Sequence, residues 1–575
     1  MTLRPLSTLF VMIGAALPVH AAAQRIPRPD LILTGGRVFT ADPRMPWAEA
    51  VAIRGDRIVA VGSSATLRQL AGASTRRIEL GGRVVVPGFN DAHDHAGAAV
   101  YGVAFATSTA PMPDPTLAVV LDSLRVLVAR TAHGTWLHSS VGLALMSDAS
   151  ATRATLDRVA PDHPVLLNAW TGHGVILNSA ALHALHIPED IQDPLAGTFH
   201  RDAAGRLNGV LDEYAGWDAE RRLFSGLPTR TIVAALRQYA NEGLRLGITS
   251  VQDMNGFLDP ATTVRAMRAA RLPIRLRVIP YPMTGPHGRL DTEWAQIDRH
   301  PAPLTTISGV KWILDGTPIE RGALMRTTYA DRPDWHGNLM FPSDTIRAML
   351  VRALATHEPL HLHITGDSVP RLVFGMMRAL APDSVWRPLR VRVEHGDWVL
   401  GDLLPMARSL GIVVVANPTH FGLDPDMIRA RFGSIPPFMA VRSLVAAGIP
   451  LGIGSDGPRN PFVNLMFAIT NPNTPKEALT REQAVIAYTS GSAYAEFAER
   501  DKGVLAPGML ADLAVLSADI FAVPAAALPA TVSVLTLVGG RVAYDVGVLA
   551  RVGGRAGPPH SAGASRLKQG DPDLH

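Results

Sequence analysis

Four places in the sequence put metal-ligand side chains at the end of an apolar run. In VVVPGFNDAHDH, His93 and His95 stand two residues apart, a spacing that on a strand sends both imidazoles to one face. LHLHITGD carries His361 and His363, VRVEHGD carries His395, and LGIGSDGP carries Asp456. Each has an ordinary reading when taken alone: a histidine bonded to a neighbour, or an aspartate capping the next helix. Taken together, His93, His95, His363, His395 and Asp456 supply the imidazole and carboxylate donors that zinc or a similar divalent ion takes. The chain has no cysteine, which excludes thiolate ligands, a cysteine nucleophile and disulfides.

A lysine belongs to the same chemistry. Lys311 interrupts the apolar run ISGVKWILDG, in a chain where only Lys311, Lys476, Lys502 and Lys568 are lysines and the other basic residues are arginines. Burying an ammonium costs several kcal/mol unless it is paired or neutralised. Unlike a guanidinium, a buried ε-amine can lose its proton, and the neutral amine can take up carbon dioxide as a carbamate. That anionic group could bridge two cations, which would explain lysine rather than arginine at this position. The alternative is an ion pair with Asp315, four residues on and on the same face of a strand.

These residues must be held by a frame, and the pattern of the chain suggests which. Near-continuous apolar runs, each followed by a helix-like stretch, recur at VVVPGFNDAHDH, SVQDM, IRLRVIPY, ISGVKWILDG, LHLHITGD, VRVEHGD, IVVVANPTH and LGIGSDGP. Strands buried on both faces and alternating with helices form parallel sheets, and eight of them predict an α/β fold of the (β/α)₈ TIM-barrel type, with functional residues at the C-terminal strand ends. The spacing is regular except between the first two runs, which predicts an insertion at about residues 105–225 of a barrel spanning 87–501. Both flanks have a different texture. Short strands with Gly-Asp, Gly-Gly and Pro-Gly turns occupy 24–86 and return at 502–549, with LTGGRV near residue 35 echoed by LVGGRV near 540. Two ends of one chain are thus expected to complete one small β-sandwich domain. Residues 550–575 read as a disordered tail.

The beginning, MTLRPLSTLFVMIGAALPVHAAAQ, has one basic residue, a short apolar run and then small residues, and predicts a signal peptide over 1–23. The run is too short for a membrane span, so the mature chain is expected to be exported, to the periplasm in a Gram-negative source. With 575 residues, 47% hydrophobic content and a net charge of +4 without like-charge blocks, the chain is a folded enzyme-sized protein with no case for nucleic-acid binding. An exposed sandwich edge is compatible with a homodimer.

The motifs PGFNDAHDH, GHGVILNSAAL, GVKWILDG, HITGD, VEHGD, ANPTHF, GSDGP and LAPGMLADLAVL together resemble the metal-dependent amidohydrolase superfamily, and within it the YtcJ-like amidohydrolase family 3. The likeness runs over nearly the whole chain after the signal. It implies one ion held by His93, His95 and Asp456, a second by His363 and His395, and a carboxylated Lys311 bridging them. His361 is the alternative to His363; the family's ligand precedes an x-x-Gly-Asp run, which selects His363. The implied cofactors are two divalent metal ions, most simply Zn²⁺, and carbon dioxide as the Lys311 carbamate. The implied reaction on a small-molecule substrate is attack of metal-activated hydroxide on a carbonyl, with Asp456 carrying the proton to the leaving nitrogen of an N-acyl, formamide or cyclic amide. His173 is the candidate for binding substrate or stabilising the oxyanion, with a structural loop histidine as the alternative. Trp170, Trp217 and Trp398 are candidate pocket walls. Asn417 departs from the family's usual glutamine before proline. A mononuclear deaminase would dispense with the lysine and carry HxxE instead of HITGD. Carboxylesterase or lactonase chemistry would use the same site, and a non-catalytic metal-binding regulatory protein is the rival from another class.

Overall fold

The computed structural model describes residues 27–96, 101–106, 113–286 and 293–552, so the expected signal peptide lies outside the described residues. Nine parallel strand segments form its centre, in two runs. Thr305–Ile307, Arg275–Pro280, Ile248–Asn255 and Phe89–Asp94 make a four-stranded sheet, and Val310–Ile313, Leu360–Ile364, Arg392–His395, Val413–Ala416 and Leu451–Ile453 a five-stranded one. The runs are continuous in sequence through Ser308-Gly309, where Gly309 takes φ +84°, a left-handed conformation that breaks the ladder at that point. Across the gap between the outermost strands, the Asp456 N–H donates to the His93 carbonyl at 2.9 Å and the Ser455 N–H to Asp91 Oδ1 at 2.8 Å.

Helices follow most of these strands for local reasons. Pro260–Ala270, for example, begins with the Asp259 carboxylate accepting the Thr262 N–H at 2.7 Å and with proline at its first position, where no N–H is needed, and ends on Arg271 in the left-handed conformation. The helices bury their apolar faces against the parallel strands in one core, which includes Val251, Leu276, Val278, Leu362, Val393 and Val414.

The two ends of the chain meet in a pair of sheets. One orders Ala550–Val552, Arg76–Glu79, Leu31–Thr34, Ala50–Arg54 and Arg57–Gly62; the other orders Arg541–Asp545, Ser533–Val538, Leu513–Leu516, Val84–Pro87, Arg37–Phe39 and Trp47–Ala48. Leu31, Val51, Ile78, Val85, Leu513 and Leu535 share one core between them. The predicted tail is corrected at its start: Ala550–Val552 adds an antiparallel strand beside Arg76–Glu79, because its backbone completes an otherwise open sheet edge.

Between the first two parallel strands the chain builds a six-stranded mixed sheet, in the order Gly197–Arg201, Leu207–Glu213, Gly174–Leu177, Val165–Ala169, Leu137–Val141 and Val103–Ala104. Helices Tyr214–Gly226 and Thr229–Arg245 return it to the parallel strands. Among the described residues no helix is long and apolar enough to cross a membrane.

Candidate metal centre

The C-terminal ends of the parallel strands bring the predicted ligands to one place. His93 and His95 rings lie 5.5 Å apart, His93 and His395 5.0 Å, and His363 and His395 4.4 Å, centroid to centroid. Asp456 sits among them, with Oδ1 3.3 Å from His95 Nε2 and 3.8 Å from His93 Nε2, and Oδ2 3.9 Å from His395 Nδ1. Burial alone would raise the Asp456 carboxyl, but His93, a hydrogen bond from His95 and His395 hold it well below the usual carboxylate range. His395 and Asp456 both take positive φ, +69° and +46°, rare for residues with a side chain. His395 ends its strand by turning there, and Asp456 turns the chain three residues after its strand ends at Ile453.

Lys311 is 2% exposed, and its Nζ lies 2.9 Å from His93 Nε2. Burial brings its ammonium down to about 8, against the pull of Asp456 and Glu394. The neutral amine needed for carbamate chemistry is therefore accessible near neutral pH. Asp315, the alternative partner for Lys311, is occupied elsewhere: its carboxylate accepts the backbone N–H groups of Thr365, Gly366 and Leu324 at 3.0, 2.8 and 3.1 Å.

The donor set fits divalent ions. His363 Nε2 and His395 Nδ1 are buried with no hydrogen-bond partner, which is costly for imidazole nitrogens unless something electrophilic meets them. Burial is the main cause holding both rings well below the usual histidine range, so they are neutral donors. His93, His95 and Asp456 present ligand atoms all within 4.8 Å of one another.

Depth along the strand separates His361 from His363. Both point inward, but His361 lies deeper, level with Lys311 and Arg392, while His363 is level with Ile313 and Glu394. His361 Nδ1 is 3.2 Å from Glu394 Oε1 and Nε2 is 3.5 Å from the Arg277 guanidinium.

Two residues at the site had no role assigned from sequence. Glu394, fully buried, accepts from His93 Nδ1 at 2.7 Å and from Arg392 at 2.6 and 3.0 Å. Holding the proton on Nδ1 leaves the Nε2 lone pair directed toward Lys311 and the site, the usual carboxylate–histidine support of a metal ligand. Its signal was present: Glu394 is two residues after Arg392, which puts both on the inward face. His420 follows the Val413–Ala416 strand in the ANPTHF motif; its ring stacks on His395 at 5.6 Å and its Nε2 is 3.9 Å from Asp456 Oδ2. His395, His420 and Asp456 form a second group of ligand atoms within 4.8 Å, so His420 joins His363 as a candidate donor beside His395. Asn417 is buried with both amide atoms unpartnered.

His173 comes from the inserted sheet. Its ring lies 5.7 Å from that of His363 and 5.8 Å from Trp217, and its Nδ1 is 2.9 Å from Glu213 Oε2. Burial pulls its pKa down, but the Glu213 carboxylate overcomes this and holds it up at about 9. Trp217 is thus beside the site, in contact with Tyr214 and Tyr281 at 4.9 and 5.3 Å. Trp170 is half-buried, whereas Trp398 packs on Phe432 and Phe438 at 5.3 and 5.4 Å as part of the core.

The chain is 25% identical over 540 residues to the putative amidohydrolase YtcJ of Bacillus subtilis, covering 89% of this chain and 98% of that protein. It is 27% identical over 523 residues to the N-substituted formamide deformylase of Arthrobacter pascens, covering 85% and 94%. In structure it is similar to an uncharacterized metal-dependent hydrolase from Pyrococcus horikoshii OT3, with TM-score 0.67 and 20% identity over 86% of this chain and 99% of that one, a likeness of fold. The model of the amidohydrolase family matches residues 76–544, and the chain, an enzyme, belongs to that family.

Proposed function

We propose that this protein is an exported binuclear metal-dependent hydrolase that cleaves an amide-type C–N bond in a small molecule, with the parallel strands closing as a (β/α)₈ barrel around the centre. The observation that carries the reading is the convergence of His93, His95, His363, His395 and Asp456 on a buried lysine, with two imidazole nitrogens unpartnered. His93, His95 and Asp456 would hold one ion and His363 and His395 the other, most simply Zn²⁺, with Lys311 carboxylated by carbon dioxide between them. Bound there, the ions would activate water and polarise a carbonyl.

The protein's own groups account for the rest of the chemistry. Asp456, ionised among histidines, accepts a proton at a carboxylate oxygen and returns it to the leaving nitrogen, so C–N cleavage expels a neutral amine. Glu394 keeps the His93 proton on Nδ1 and the ring in place. His173 faces this centre from the inserted sheet, within reach of a substrate carbonyl, and Trp217 forms an apolar wall beside it. The formamide deformylase relative supports a C–N substrate of the N-acyl or formamide kind.

The test is hydrolysis of a panel of N-acyl amino acids, N-substituted formamides, cyclic amides and aryl esters by zinc-loaded and chelator-stripped protein. Amide turnover that chelation abolishes and zinc restores supports the reading. Turnover of esters alone would replace it with a carboxylesterase, and metal-independent turnover would overturn it.

A further inference from the structure

Glu213 lies outside every motif of the metal centre, yet three features converge on it and on His173. The first is register. Strands Gly174–Leu177 and Leu207–Glu213 pair antiparallel with Gly174 opposite Asp212, so His173 and Glu213 meet where the ladder ends. The second is backbone conformation. Glu213 has φ +53° and ψ −125°, a conformation that costs a residue with a Cβ on the order of 1–3 kcal/mol and that glycine adopts freely. The third is the turn before His173, where Gly172 has φ +82° and its carbonyl accepts the Trp217 indole N–H at 2.7 Å.

A strained glutamate at a position suited to glycine implies that its side chain is needed there. That side chain reaches His173 Nδ1 with both oxygens, at 2.9 and 3.1 Å. With Nδ1 tied to Glu213, the opposite ring nitrogen, Nε2, is the one left for another partner, and the ring as a whole is held 5.7 Å from His363. The inserted sheet therefore delivers one oriented imidazole to a centre built from other strands. Glu320, whose carboxylate accepts from the Thr317 hydroxyl, also acts electrostatically on His173, but it comes from a different loop and no hydrogen bond joins the two.

We propose that Glu213 is a positioning residue that acts through His173, fixing its ring so that Nε2–H donates to the carbonyl oxygen of the substrate as it becomes an oxyanion, and to the carboxylate oxygen of the product. This rests on the hydrolase reading above for its substrate, but the couple has its own readout. Acetate, a small carboxylate, is the probe for the second role.

The test is a double-mutant cycle on zinc-loaded protein with Glu213→Gln, His173→Asn and the double variant, together with Glu213→Gly. Acetate affinity is measured by calorimetry and kcat and KM on 4-nitroacetanilide, with 4-nitrophenyl acetate as an ester control. His173→Asn is expected to lower kcat by ~10²-fold, the size of a lost oxyanion donor, with KM within about threefold. Glu213→Gln is expected to lower kcat by at least ~10-fold and weaken acetate binding, while the double variant is no worse than His173→Asn alone. Glu213→Gly should lose function to the same degree while the protein stays folded, because relief of the strained backbone offsets part of the stability lost with the His173 pairing. Independent, multiplying losses in the double variant, or wild-type kcat and acetate affinity in both Glu213 variants, would overturn the proposal. If the wild type turns over neither these substrates nor any of the panel above, the hydrolase reading fails, and the acetate cycle still decides the couple. If turnover persists while the cycle shows no coupling, only the couple fails.

Discussion

Replacing Glu394 with glutamine tests how the centre is supported from below. The carboxylate is buried and accepts four hydrogen bonds, from His93 Nδ1 at 2.7 Å, His361 Nδ1 at 3.2 Å, and Arg392 Nε and Nη2 at 2.6 and 3.0 Å. Glutamine keeps one acceptor oxygen and turns the other position into an NH₂ donor. At least one donor, from Arg392 or a histidine, then faces another donor. Arg392 itself is buried, and although it also bonds the Ala92 carbonyl at 2.6 Å and the Gln252 side chain, it loses its only hydrogen-bonded carboxylate among the described contacts. Breaking such a pair from one side costs about 3–5 kcal/mol, and losing the support of a ligand histidine weakens metal binding ~10–100-fold, or about 1.4–2.7 kcal/mol. The assay is competition for zinc against a chromophoric chelator, beside urea unfolding of the chelated protein. Both metal affinity and the stability of the metal-free chain should fall. Unchanged zinc affinity with lowered stability would show that Glu394 supports the fold but not the metal, and would refute the reasoning for His93.

Other outcomes follow from the same geometry. Asp456→Asn should lower kcat by ~10²-fold or more, since in the proposed mechanism one residue would provide both a ligand and the proton shuttle; steady-state kinetics on the best panel substrate decides it. His420→Ala should weaken one zinc equivalent more than the other in a chelator titration, because its Nε2 lies 3.9 Å from Asp456 on the His395 side; equal affinities with wild type would remove it from the donor set. A Cβ at Gly454 would lie 2.4 Å from His93 Cβ and 2.5 Å from His93 N, so Gly454→Ala should cost about 1–3 kcal/mol and loosen the metal site, read by unfolding and zinc titration. His173, held at about 9 in the folded chain against about 6.5 when unfolded, binds more protons folded than unfolded between those values. Its stabilising contribution is full below about pH 6.5 and lost as pH rises through about 9. Urea midpoints of wild type minus His173→Asn should therefore converge across that window.

The candidate ligands were legible because parallel strands buried on both faces leave their polar residues at the ends, as HDH, HITGD, VEHGD and GSDGP do. Only the resemblance to the family chose His363 over His361 in the sequence; the register adds a physical reason, setting His361 level with Lys311 and so below the rim. Glu394 and His395 are adjacent, and simple alternation would aim them oppositely. Only the positive φ of His395 lets both serve one centre, and no local pattern announces that conformation in a histidine. Glu213 was hidden for another reason. Its partner His173 is forty residues away, joined through antiparallel pairing inside the inserted segment, where a sequence read by strand-helix periodicity has least to say. The short strand Ala550–Val552 was misread because its charged and glycine-rich surroundings resemble a tail, while its backbone finds a sheet edge.

The central claim is a lysine-bridged pair of ions, and elemental analysis of the purified protein beside Lys311→Ala tests it most directly. About two equivalents of zinc or a similar ion in the wild type, falling in the variant together with hydrolysis, is the predicted result. One equivalent or none, unchanged when Lys311 is removed, would contradict it and leave that lysine as a buried amine hydrogen-bonded to His93.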